Sequence, residues 1–182
     1  MKAGNRLTNA TITTAQDGKP SVIGLAVVGH NPVDVSFSDL PRPEAPSPDE
    51  AVERGESHHP YVAQYEMRPT MGSAPWRGSP SSTVGGWIRM RAPRALDVPL
   101  VAALTDTWMP SFWPRLSEPA GKITVDLTIH LRSTLVPRDV GYWFIRQVAR
   151  HCERGFVDED CEIWDSSGRL VATSRQLILL SR

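Results

Sequence analysis

Cysteine is nearly missing from this chain: Cys152 and Cys161 are the only two among 182 residues. Two thiols cannot build a disulfide framework, and neither has the companions of a metal site, so a reducing, cytoplasmic setting is expected. Net charge is missing as well. Twenty basic side chains balance twenty acidic ones, which leaves no excess field to hold nucleic acid or an anionic membrane. No apolar run approaches the roughly 18 residues of a membrane span, and the N-terminus lacks the apolar core of a signal peptide. The absence of a G-x-S-x-G elbow argues against α/β-hydrolase chemistry. His30, His58, His59, His130 and His151 have neither H-x-x-x-H spacing nor cysteine neighbours for zinc. Gly85-Gly86 lacks the lysine and spacing of a phosphate loop. No cofactor and no metal are expected.

Proline is plentiful, with 16 residues, and so is strand-forming sequence. Only Leu96 to Trp113 reads as helix. Asp97 is a good N-cap because its carboxylate can accept from the free N–H groups of the first turn. Pro99 is tolerated in that turn, where its missing N–H has no intrahelical partner. Leu100, Ala103, Leu104 and Trp108 recur at helical spacing and form one apolar face. Pro110 forces the stop. Asp106 is thereby placed in the last turn, where the helix dipole disfavours a carboxylate by about 0.3–1 kcal/mol.

Everything else reads as strand or loop. Residues 5–29 form a hairpin around Asp17-Gly18, the strongest short-range cue for one. Residues 31–59 are rich in proline and poor in aliphatics, and read as an extended, mobile linker. Tyr61 to Arg68 and Gly86 to Ala92 follow as strands. Lys122 to Arg132 alternates without a break: Ile123, Val125, Leu127, Ile129 and Leu131 on one face, Thr124, Asp126, Thr128, His130 and Arg132 on the other. Gly141 to Arg150 is a further strand, and Phe156 to Leu180 is a second hairpin around Ser166-Ser167-Gly168. The two hairpins share an order of strand, glycine-centred turn, basic residue, strand. Aligning Gly18 with Gly168 sets Gln176 against Ala26, so polar chemistry on that strand belongs to the C-terminal copy.

One helix among antiparallel strands makes an α+β protein with the helix on one face of the sheet. The hot-dog fold, an antiparallel sheet wrapped around one central helix, has this order. GGWIRMR, ALDVPLVAALTDTWMPSFW, TVDLTIHLR and DEDCEIWDSSGRLVATSRQLILL together resemble the type II acyl-CoA thioesterase family, whose members carry two hot-dog modules in one chain. The resemblance implies a complete module over residues 60–182, a linker at 31–59, and the last hairpin of a truncated first module at 1–30. It also implies hydrolysis of acyl-CoA to free acid and CoA; the exposed strand edges left by a missing half would favour homo-oligomers. In that family an Asp, a Thr or Ser, and a Gln hold and activate the attacking water. By motif these are Asp106 in A-L-T-D, Thr124 in T-x-D, and Gln176 in the last strand. Arg175 and Leu177, on either side of Gln176, depart from the smaller or different neighbours typical of the family.

Those residue types suit the chemistry. Thioester hydrolysis needs a positioned water, a base to take its proton, and donors for the developing oxyanion. Gln and Thr can hold water without changing charge. Read without the family, Asp106 is a solvent-facing helix residue, Thr124 a strand former and Gln176 a surface residue. Asp126, two positions past Thr124, is a second candidate carboxylate. Trp108, Phe112 and Trp113 read as core rather than acyl channel, and Arg89 and Arg91 as solvated charges rather than ligands of CoA phosphates. Two other functions compete. An enoyl-CoA hydratase needs D-x-N-P-x-H, which His30-Asn31-Pro32 does not reproduce. A non-catalytic protein that binds acyl-CoA or only oligomerises is compatible with the fold.

Overall fold

A computed structural model of the chain describes residues 2–3, 7–29, 33–55, 59–135 and 139–181; His30, Asn31, Pro32 and His58 lie outside them. The chain divides into two units, Met1–Asp39 and Leu40–Arg182. In the first, β1 (Lys2–Ala3), β2 (Leu7–Gln16) and β3 (Lys19–Gly29) form an antiparallel sheet in that order. Asp17 and Gly18 join β2 to β3 at φ of 52° and 73°. Two successive left-handed residues are what a tight hairpin turn demands, and Asp-Gly supplies them at low cost.

The second unit contains β4 (Tyr65–Met71), β5 (Thr83–Met90), α1 (Val98–Leu104), β6 (Gly121–Leu131), β7 (Trp143–Glu153), β8 (Phe156–Trp164) and β9 (Leu170–Ser181). The strands are antiparallel in the order β4-β5-β7-β8-β9-β6. Leu100, Val101 and Leu104 of α1, with Trp108 beyond it, pack against Ile88, Trp143 and Ile163 on one face of this sheet. Phe112 packs with Val157 and Ile178 in an adjoining cluster. Trp108, as its helical spacing suggests, and Phe112 are core side chains.

The other face carries Trp87, Phe144 and Trp164, stacked edge to face with centroids 4.9 and 6.0 Å apart. Residues 40–55, where composition suggests a mobile linker, run across these rings. Trp87 Nε1 donates to the carbonyl of Pro46 at 2.8 Å, Trp164 Nε1 donates to that of Leu40 at 3.3 Å, and Ala51 is buried among the rings. Buried indole N–H groups require acceptors, and an extended proline-rich segment has carbonyls not committed to secondary structure.

The structure corrects two local expectations. The helix is shorter than its apolar spacing suggests. Asp97 caps it, accepting from Leu100 N at 2.8 Å, but it ends at Leu104. Hydroxyls end it: Thr105 Oγ1 donates to Ala102 O and Thr107 Oγ1 to Ala103 O, each at 2.7 Å. The backbone meanwhile tightens to i→i+3 bonds at Asp106 and Thr107. Asp106 therefore stands in the turn past α1 and not in its last turn.

The second correction is in β6, where the alternation is broken. Thr124 pairs with Ile178 while Asp126 pairs with Leu177, so Val125 is an extra residue, a β-bulge. Beyond the bulge Leu127 pairs with Gln176. Lys122 and Thr124 thus share a face with Leu127 and Gln176, and Asp126 faces the other way.

Candidate active site

The bulge brings two of the three residues singled out by motif into contact. Thr124 Oγ1 donates to Gln176 Oε1 at 3.2 Å. Gln176 is 2% exposed, and its Nε2 donates to Glu159 Oε1 at 3.0 Å. Glu159 pairs directly with Gln176 across β8 and β9 and is 1% exposed. Its second oxygen accepts from both N and Oγ of Ser111, each at 2.6 Å. Burial pushes the Glu159 carboxyl above its usual range, while the side-chain and backbone bonds from Ser111, the Lys122 charge and the Gln176 bond oppose that rise.

Asp106, the third residue, binds neighbours of a different kind. Its carboxylate forms an ion pair with Lys122 Nζ and keeps a side-chain exposure of 40%. Lys122 lies two residues before Thr124 on the same face of β6. The turn bearing Asp106 is fixed from both sides. Gln147 of β7 donates through Nε2 to Thr105 O at 3.2 Å. The Tyr61 hydroxyl donates to Ala103 O at 3.1 Å and lies 2.8 Å from Thr107 Oγ1. Burial, the main influence on that phenol, pushes it up to about 12, so it stays a neutral donor at ordinary pH.

The other candidates are placed elsewhere. Arg89 is bonded to Glu66, with its shortest contact 2.5 Å, and Arg91 to Glu53 at 2.7 Å. Cys161 is buried and its thiol is raised well above the usual range, first by desolvation. Sequence reasoning missed Glu159, Lys122 and Ser111. The signal for Glu159 was present: Val157, Glu159, Cys161 and Ile163 alternate, which puts a carboxylate on an apolar face. An open groove of about 900 Å³ lies at the start of β6 and the end of β9, lined in part by Leu116, Glu118, Arg154 and Leu180 and by none of Asp106, Thr124 and Gln176. Leu180 is the pairing partner of Lys122.

An antiparallel sheet packed on a single helix, with a polar row across its inner face, is the architecture of a hot-dog protein. Solved structures support that reading. The chain is similar to a conserved hot-dog protein of unknown function from Alicyclobacillus acidocaldarius, at 26% identity and a TM-score of 0.88, covering 100% of this chain and 70% of that one. It is similar in fold to a protein assigned as a thioesterase from Novosphingobium aromaticivorans, at 21% identity and a TM-score of 0.83, with coverages of 100% and 70%. Acyl-CoA thioesterase II TesB2 from Mycobacterium marinum shares the fold at 19% identity and a TM-score of 0.72, with coverages of 98% and 70%. No curated protein matches the chain. Residues 38–180 match the family model for the acyl-CoA thioesterase C-terminal domain, and the chain belongs to that family of thioester hydrolases. Among the described residues, no helix is long and apolar enough to cross a membrane.

Proposed function

We propose that this protein hydrolyses acyl-CoA to a free acid and CoA with a water held between Asp106, Thr124 and Gln176. The observation that carries this reading is the Thr124–Gln176 hydrogen bond, on the face of β6 where Lys122 pairs with Asp106. Asp106 takes a proton from the water as its oxygen attacks the thioester carbonyl carbon. The tetrahedral intermediate collapses, the C–S bond breaks, and the thiolate leaves with the proton returned from Asp106. Lys122 supplies a positive charge next to the carboxylate. Asp126, on the opposite face, is a poorer candidate for the base.

The test is thiol release from medium-chain acyl-CoA by the unsubstituted protein and by Asp106→Asn. Loss of a positioned general base is expected to lower kcat by about 10²- to 10⁴-fold with the fold intact by circular dichroism. A protein that binds acyl-CoA across a range of chain lengths and releases no thiol would instead be a binding protein.

A further inference from the structure

We infer that Glu159 is a positioning residue, which fixes the orientation of the Gln176 amide and so makes Thr124 an acceptor toward the attacking water. The inference rests on the proposed function. Glu159 faces three donors: Ser111 N, Ser111 Oγ and Gln176 Nε2, at 2.6, 2.6 and 3.0 Å. A buried carboxylate surrounded in this way uses both oxygens as acceptors. The Gln176 amide has one NH₂ end and one oxygen end. With the NH₂ end on Glu159, its oxygen must face Thr124, and Thr124 Oγ1 donates to it.

This chain of bonds has a consequence one atom further on. The single hydroxyl proton of Thr124 is spent on Gln176, so only its lone pairs remain for solvent. A water beside Thr124 therefore donates one O–H to Oγ1 and the other to Asp106. Its own lone pair is left for the carbonyl carbon. The reversed amide would donate to Thr124, whose proton would then turn outward and occupy the lone pair that must attack. Glu159 touches neither water nor substrate in this arrangement; it acts through Gln176.

Glu159→Gln tests the inference almost isosterically. Both Ser111 donors hold the oxygen of the new amide, so its NH₂ end faces Gln176 and forces that amide to reverse. Such a misplacement of the reacting groups is expected to lower kcat by roughly 10²-fold with KM changed less than about twofold. The exchange variant Glu159→Gln/Gln176→Glu restores every donor–acceptor match. Gln at 159 donates to Glu at 176, whose other oxygen accepts from Thr124. The exchange is expected to recover kcat to within about tenfold of the unsubstituted protein.

A merely structural Glu159 would instead lower Tm in step with activity and would not be rescued by exchange. Side-chain amide resonances of Gln176, assigned by their loss in Gln176→Ala, read the orientation without any catalysis. They are expected to shift in Glu159→Gln as the carboxylate acceptor is lost and the amide reverses. If the unsubstituted protein hydrolyses no thioester, the proposed function fails while the amide resonances still decide the orientation. Unmoved Gln176 resonances, or undiminished kcat in Glu159→Gln, would overturn the inference.

Discussion

Glu66 and Glu159 are both buried carboxylates on one sheet, on opposite faces, and their surroundings drive them in opposite directions. Burial raises both. At Glu66, hydrogen bonds from Tyr142, Arg68 and Arg89 outweigh burial and bring the carboxyl down to about 2. Its stabilising contribution is present above the unfolded value of 4.5 and is lost as pH falls towards about 2. At Glu159 burial prevails and the folded value lies above 4.5. Lys122 on β6 favours its charged form, while Asp106 beyond α1 and Cys161 on β8 belong to the same electrostatic cluster.

For Glu159 the sign is reversed. The folded chain binds this proton more tightly than the unfolded chain, so the contribution is full below 4.5 and is lost as pH rises through the folded value. Glu159→Gln, which is neutral at every pH, is therefore expected to gain in Tm on the unsubstituted protein as pH rises above the unfolded value of 4.5. A Tm difference that stays flat over this range, or that moves against the variant, would contradict the sign assigned here. A variant that is more stable and less active is the signature of a charge kept for positioning.

At the scale of elements, what could be read from sequence depended on whether a pattern was regular. The turns at Asp17-Gly18 and Gly168, the Asp97 cap and the strand sequences are short-range signals, and the structure follows them. The bulge at Val125 has no comparable signal, because an unbroken alternation of apolar residues hides an inserted one until the partner strand is known. Strict alternation puts Thr124 on the face away from Leu127; the bulge brings it round to Gln176. The length of α1 was hidden in a similar way, since apolar spacing continues to Trp108 while two threonine hydroxyls satisfy carbonyls near the helix end. Deleting Val125 removes the extra residue and is expected to leave a regular ladder in which Thr124 still pairs with Ile178 and keeps the face of Leu127 and Gln176. The pairing of Leu127 to Leu131 with β9 would be unchanged. A kcat within about tenfold of the unsubstituted protein, with a cooperative thermal transition retained, is the expected outcome. A fall in kcat of about 10²-fold or more in a deletion variant that still folds would contradict this register.

For the molecule as a whole, the order of strands around one helix was legible, and the family follows from residues 38–180. The role of residues 40–55 was not. Proline and acidic residues read as linker composition, and only the positions of Trp87 and Trp164 on one face explain why those carbonyls are needed. Glu159 was overlooked although the alternation of β8 puts it on an apolar face, because the Ser111 donors that hold it there lie 48 residues away in sequence. The motif residues drew attention to the reacting groups, and the folded chain adds the side chains that orient them.

The central claim, that Asp106 activates a water and does not itself attack the thioester, is tested most directly by one turnover in ¹⁸O-labelled water with enzyme in excess over acyl-CoA. Direct attack by the activated water is expected to put solvent oxygen into the free acid in that first turnover. Unlabelled acid, with the label found in the Asp106 side chain, would mean that the carboxylate forms a covalent anhydride and that the account is wrong.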